Sequence, residues 1–252
     1  KFDVFMSSDI MRPIVAQEKS AFNFRDMMDS KKIFIVNLSK GRLGDISASL
    51  LGLIIIGKFS QAAMGRVDQP DKSKNPDFFL YVDEFYNFTT PAIASILSEA
   101  RKYRLSLTVA HQHLAQLKED IKGAIFGNVG SMAVYRISPD DAKYIESRYA
   151  PTITASDIMK IANFHAYINM LVKGDPKKPF DIEVGPPPHG DITKINALKE
   201  LSYLTYGRPV DEVVSEIIIS IQLIDRSIIE YDLNDKRSFF LLQFWTQLKT
   251  PL

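Results

Sequence analysis

The chain has 252 residues, of which 46% are hydrophobic, enough for a sizeable buried core and too apolar for a disordered chain. Its formal net charge of +1 gives no global push toward nucleic acid, although a balanced total is compatible with a polarised surface. With no cysteine, disulfide staples and thiolate metal sites are excluded, and the composition fits a reducing compartment.

The length suits one large domain or a domain and a half. Lys1–Asp9 already read as structured sequence without a secretory leader, so the chain is expected to be a piece of a longer polypeptide. Phe22, Phe24, Met27 and Met28 suit one face of a short helix. Lys31 and Lys32 lead into Ile33–Leu38, whose unbroken apolar run predicts a buried strand. Gly41–Asp45 reads as a loop, and Ile46–Met64 is long enough only for a helix. Its most apolar part, Leu50–Ile56, is interrupted by Gly52 and Gly57 and falls short of the roughly 20 residues of a membrane span. Val67–Asp77 reads as a polar loop and Phe78–Val82 as the next buried strand. A helix is expected from Pro91 to about Tyr103, capped by Thr89 or Thr90. Leu105–Ala110 is a third strand, Leu114–Lys118 begins a helical segment, and Ser131–Ile137 is a fourth strand. Ser138 caps a helix reaching Arg148, and Thr154–Ile161 is a short helix with its own cap. Phe164–Val172 and Pro179–Val184 are strands joined by a turn at Gly174–Lys178.

This alternation predicts an α/β fold with a mainly parallel sheet, helices on both faces and an antiparallel edge. Three consecutive prolines, Pro186–Pro188, mark a domain end. Residues 1–190 are therefore expected to form one domain and 191–252 a helical extension interrupted at Gly207–Pro209. Leu241, Leu242, Phe244 and Trp245 are apolar and are expected to need a packing partner.

Asp83–Glu84 directly follows the strand Phe-Phe-Leu-Tyr-Val. Such a strand delivers its last residues rigidly to the carboxyl edge of the sheet, where open α/β folds bind ligands. Asp83 there can hold Mg²⁺ through its water shell, and Glu84 can polarise an attacking water. The bland alternative is that both cap the following turn. Gln112 lies just past the next strand, so in adjacent parallel strands its amide sits beside the carboxylates; the alternative is a solvated turn residue. His111 and His113 flank it without metal-ligand spacing. A phosphate loop would read G-x-x-x-x-G-K-[ST]. Gly52–Lys58 has both glycines and the lysine, but Phe59 stands where the hydroxyl belongs. The Leu and three Ile between the glycines suit a buried helix rather than a phosphate cradle.

Arg101, Lys102 and Arg104 end the helix after the carboxylates. Basic residues favour a helix C-terminus for purely local reasons, or one of these arginines reaches a neighbouring subunit's phosphate. Lys40 and Arg42, in a Ser-Lys-Gly-Arg-Leu-Gly loop, could contact phosphate of nucleotide or nucleic acid. Arg66, Arg136 and Arg148 answer to no local rule.

The stretches Asn37–Gly44, Tyr81–Phe85, Leu97–Tyr103, Ala110–Gln112 and Phe126–Gly130 occur in an order that resembles the C-terminal half of the motor domain of the HerA/FtsK-type ATPases. The nearest branch is the TraG/TraD-like coupling proteins of conjugative and type IV secretion systems, over roughly residues 20–215. The resemblance implies a RecA-like P-loop core that binds ATP and Mg²⁺, assembles as a homo-hexamer and moves DNA through its pore. Asp83 and Glu84 would be its Walker B pair, Gln112 its sensor glutamine, and Arg101 or Arg104 an arginine acting in trans. The departure is the missing Walker A loop, expected upstream, without which this chain alone would be inactive. Secretion-system or relaxosome proteins are implied partners, with a cytoplasmic location tied to the inner membrane through regions outside this chain. Two alternatives stand beside this: a soluble HerA-like DNA-processing helicase, and a non-catalytic α/β binding module. A decayed relative has little physical reason to keep both Glu84 and Gln112.

Overall fold

The computed structural model describes residues 8–71, 74–90, 93, 96–97 and 99–230, with side chains as far as residue 222. They divide into two compact units. One comprises 24–35 and 52–189, and the other comprises the described parts of 1–23, 36–51 and 190–252.

The helices are α1 (Met11–Val15), α2 (Phe24–Asp29), α3 (Lys40–Leu43), α4 (Asp45–Met64), α5 (Glu119–Asn128), α6 (Pro139–Ile145), α7 (Ala155–Met159), α8 (Ile192–Tyr206) and α9 (Val210–Glu230). The glycines at 52 and 57 do not stop α4. Each costs about 1 kcal/mol against alanine, less than the burial of Phe59 alone contributes. With the 3₁₀ turn Gly65–Asp68, Asp45–Asp68 forms a continuous stretch of 24 residues, long and apolar enough by length and composition to cross a membrane. The apolar run is thus longer than Leu50–Ile56 suggested. Its buried residues Ile56, Phe59 and Ala63 belong to the protein core, as in a core helix. Phe59 stacks on Phe78 at 5.1 Å and meets Phe24 edge-on at 4.9 Å.

Strands β1 (Phe78–Val82) and β2 (Leu105–Val109) pair in parallel, from Phe78 opposite Leu105 to Val82 opposite Val109. Backbone bonds continue the ladder past both ends. Phe78 N–H donates to the Arg104 carbonyl at 2.9 Å, and Phe85 N–H donates to the Ala110 carbonyl at 2.9 Å. A second sheet is antiparallel, in the order β3 (Met132–Val134), β4 (His165–Asn169), β7 (Phe180–Glu183). β5 (Leu171–Val172) and β6 (Asp175–Pro176) form a small hairpin. Tyr149, fully buried, ties β3 to β4: its hydroxyl donates to the Met132 carbonyl at 3.0 Å, with the Tyr167 carbonyl 3.5 Å away. Burial pushes the Tyr149 phenol well above its ordinary value.

The fold is therefore mixed α/β with a parallel pair, and several expectations need correction. Among the described residues the parallel element is confined to β1–β2, because β3 is only three residues long and pairs antiparallel to β4, Met132 opposite Asn169. Ile33–Leu38 belongs to none of the sheets. Ile33 and Ile35 are 92% and 86% exposed, while Phe34 turns inward, against Phe24 and Phe59. An apolar run becomes a strand only when a neighbour takes its backbone hydrogen bonds, and no described strand does. β1 is buried on one face only; Phe79 and Tyr81 on the other are exposed. Instead of a loop at Gly41–Asp45, α3 forms because Arg42 and Leu43 N–H both donate to the Ser39 carbonyl; Gly44 then turns at φ +76°. The antiparallel return at 180–183 and the caps at Ser138 and Thr154 are as expected. The helix expected from Pro91 is described only at Ile93, Ile96, Leu97 and Glu99, before a 3₁₀ turn at Ala100–Tyr103. Leu241, Leu242, Phe244 and Trp245 lie outside the described residues.

In the second unit α1 packs on α9, burying Met11, Val213 and Ile217. Asp191 caps α8 by accepting from Thr193 N–H at 3.0 Å.

Candidate active site

The parallel register brings two chain segments to one edge of the sheet. After Val82 the chain exposes Asp83, turns at Glu84, and plunges back through Phe85, whose ring is fully buried. Glu84 adopts the left-handed conformation, φ 48° and ψ 45°. For a residue with a Cβ this costs about 1–2 kcal/mol, and such strain collects at functional sites. The turn is held from both sides. Asp83 Oδ1 accepts from Glu84 N–H at 2.9 Å, and the Glu84 carbonyl accepts from the backbone and side-chain amides of Asn87, each at 3.0 Å. Asp83 thus caps the turn with one oxygen. The Glu84 side chain takes no part in capping.

The Glu84 carboxylate faces β2. There Gln112 Nε2 donates to Glu84 Oε1 at 2.7 Å, bridging 28 residues of sequence. Gln112 is exposed, but its amide is committed to Glu84 rather than solvated as a turn residue.

The remaining predicted residues lie elsewhere. Arg104 pairs with Asp77 at 3.2 Å and ends the turn that precedes β2. Arg101 belongs to the same turn and is exposed. Both stand at the amino end of a five-residue strand about 16 Å long, and Gln112 lies beyond its carboxyl end. Lys40 and Arg42 sit in α3 of the other unit, where Lys40 pairs with Asp45 at 3.3 Å. Gly52–Ser60 is helical, with Ile56 and Phe59 in the core, and so offers no phosphate cradle. The three arginines without a sequence rule each find a hydrogen-bond partner. Arg66 is fully buried, with Nε 3.0 Å from Asp29 Oδ1 and Nη1 donating to the Tyr103 carbonyl at 2.8 Å. Its Nη2 also stands 2.8 Å from Asp29 Oδ1, as an ion-pair contact rather than a directed hydrogen bond. Arg148 donates to the carbonyls of Val129 and Phe126, and Arg136 donates to Asn163.

Two residues beside the site had no part in it assigned from the sequence. His111, half-buried, has its imidazole pushed below the ordinary value by burial, against the opposing pull of the Asp141 and Glu84 carboxylates. Asp141, 8% exposed, accepts from Leu114 N–H. Its signal was a capping pattern, Ser138 followed three residues later by aspartate, which pointed to a local role.

Residues 77–161 match the family described as the TraM recognition site of TraD and TraG. The match covers about a third of the chain. The matched segment carries β1, β2, β3 and α5 to α7, and with them Asp83, Glu84, Arg101, Arg104 and Gln112; Lys40 and Arg42 lie outside it. Among solved structures, plasmid coupling protein TrwB in complex with the GTP analogue GDPNP is similar at 15% identity and a TM-score of 0.52, over 73% of this chain and 48% of that one. TrwB with the ATP analogue ADPNP aligns at 16% identity and a TM-score of 0.49, over 66% and 44%. The genome packaging NTPase B204 from Sulfolobus turreted icosahedral virus 2, in complex with AMPPCP, aligns at 16% identity and 0.43, over 67% and 74%. The first of these shows a shared fold. The chain spans less than half the length of the TrwB chains it matches. No curated protein sequence gives a significant match.

Proposed function

We propose that the chain is part of the motor of an ATP-driven, DNA-translocating coupling protein. One observation carries this reading: within the matched segment, Gln112 at the end of β2 grips the carboxylate of Glu84 in a strained turn at the end of β1. Glu84 then orients the attacking water and accepts its proton, while Gln112 fixes the Glu84 rotamer and is close enough to respond to a neighbouring phosphate. Asp83, exposed and with one oxygen outside the turn, suits the water shell of a Mg²⁺ ion. Bound ATP and Mg²⁺ supply the phosphoryl group and neutralise the charge that develops during its transfer.

The carboxylate side of the site fits such a group. The helical Gly52–Ser60 does not, so the phosphate cradle is assigned to residues other than these. Arg101 and Arg104 are at the wrong end of β2 for their own Glu84, which favours action in trans within a homo-hexameric ring around DNA. By analogy with the description of its family, the segment 77–161 is a docking region for a relaxosome protein. That match favours the conjugative branch over a HerA-like helicase. We place the protein at the cytoplasmic face of the inner membrane, anchored through regions outside this chain.

The test is Glu84→Gln in the intact protein. DNA-stimulated ATP hydrolysis should fall at least about 100-fold while ATP affinity stays within about threefold. Unchanged turnover refutes the assignment.

A further inference from the structure

Two helices of this chain open with the same pattern, a hydroxyl cap followed three residues later by aspartate, and use it differently. At α7, Thr154 Oγ1 accepts from Asp157 N–H at 3.3 Å, and Asp157 Oδ2 accepts in return from Thr154 N–H at 2.9 Å, completing a capping box. At α6, Ser138 Oγ likewise accepts from Asp141 N–H at 3.3 Å, but the Asp141 carboxylate does not return the bond. It is turned away from its own helix. Its Oδ2 accepts from Leu114 N–H at 3.4 Å and stands 3.9 Å from His113 Nδ1. Asp141 is almost fully buried, and a buried carboxylate is tolerated only where donors meet it. The donors that meet it come from the turn after β2.

That turn is the one that carries Gln112. Leu114, buried at 9% exposure, is its far anchor, and Gln112 lies two residues before it. His111 and His113 bracket Gln112: His113 faces Asp141, and His111 lies within the electrostatic reach of both Asp141 and Glu84. The Gln112 to Glu84 bond is 2.7 Å long, so a shift of the turn by about 1 Å takes it out of hydrogen-bond reach.

We propose that Asp141 is a positioning residue: by holding Leu114 it fixes the turn that carries Gln112, and so keeps the Gln112 amide against Glu84. This rests on the roles given to Glu84 and Gln112 above. It adds that the site is braced from α6, a helix without a residue of its own at the reacting centre.

Three substitutions in the intact protein test it. Asp141→Ala removes the acceptor, Asp141→Asn keeps an acceptor oxygen, and Ser138→Ala removes the cap of the same helix without touching the turn. We expect Asp141→Ala to lower kcat at least about tenfold with KM within about twofold, since misplacement of about 1 Å costs up to about 100-fold. Asp141→Asn should stay within about threefold of the parent, and Ser138→Ala within about twofold even though its Tm falls. In this chain, exchange of the Leu114 amide proton should quicken at least about tenfold in Asp141→Ala and hold in the other two. A normal kcat in Asp141→Ala overturns the proposal, as does an equal loss in Ser138→Ala, which would mean the helix and not the turn is at stake. If Asp141→Ala does not fold, Asp141→Leu, which keeps the volume and removes the acceptor, takes its place: the same loss of kcat and the same quickening of Leu114 exchange are expected, and a normal kcat overturns the proposal. Unchanged hydrolysis in Glu84→Gln itself would remove the active-site reading, while Leu114 exchange would still judge the brace.

Discussion

Removing the Asp29 carboxylate strands Arg66. The guanidinium has no exposure to solvent, and Asp29 Oδ1 accepts from its Nε at 3.0 Å and stands 2.8 Å from its Nη2. Breaking a buried ion pair from one side costs about 3–5 kcal/mol, because the surviving charge has no water to turn to. Two features pull the figure to the low end: the Asp29 side chain is 31% exposed, and Nη1 keeps its bond to the Tyr103 carbonyl. About 3 kcal/mol is therefore expected for Asp29→Ala, a fall in Tm of roughly 6–12 °C for a chain of this size. Arg66→Met removes the charge and keeps the volume but orphans the Tyr103 carbonyl, for about 1–3 kcal/mol. The double variant should be more stable than the sum of the two losses by at least about 1 kcal/mol, since a methionine in place of Arg66 leaves no charge to strand. Urea unfolding followed by circular dichroism reads all three, with unchanged slopes as the check that only stability moved. A Tm for Asp29→Ala within about 2 °C of the parent, or strictly additive losses, would refute the reasoning.

The strained turn predicts that Glu84→Gly holds or raises stability by up to about 1 kcal/mol while abolishing hydrolysis, because glycine relieves the left-handed backbone but loosens the unfolded chain. A loss above about 1 kcal/mol in urea unfolding would count against strain at this position. His111 predicts a pH dependence. Its folded value lies below its unfolded one, so the unfolded chain binds more protons between the two. The neutral imidazole's contribution is full above about pH 6.5 and is lost as pH falls through the folded value. His111→Asn should flatten the stability profile in that window, and the ¹³C titration of His111 should have its midpoint below that of a free imidazole; a midpoint at or above it refutes the sign.

Strand β1 could be read from the sequence because Phe78–Val82 is a short apolar run closed by Asp83, and β2 because Leu105, Leu107 and Val109 alternate with Ser106 and Thr108. The caps at Ser138 and Thr154 could be read because capping is decided within four residues. Long-range choices were hidden. Ile33–Leu38 has the composition of a strand, but a strand also needs a neighbour, and composition does not name one. Arg66 answers to no local rule because its partner, Asp29, is 37 residues away. Asp141 carries a capping pattern, and nothing local tells that its carboxylate serves Leu114 instead. The placement of Gln112 beside Glu84 could be inferred only by assuming that β1 and β2 are parallel neighbours, which is what the backbone ladder displays.

That ladder sets a tolerance on the site. Sliding β2 by one residue would carry Gln112 about 3.3 Å along the sheet and exchange the faces of the strand, pressing Ser106 into the core and lifting Leu105 out. The alignment of amide and carboxylate is thus gauged by Phe78, Val82 and Leu105, buried residues that meet no substrate and act as the teeth of a ruler. A single deletion inside β2 should damage the chemistry more than most substitutions at its exposed positions.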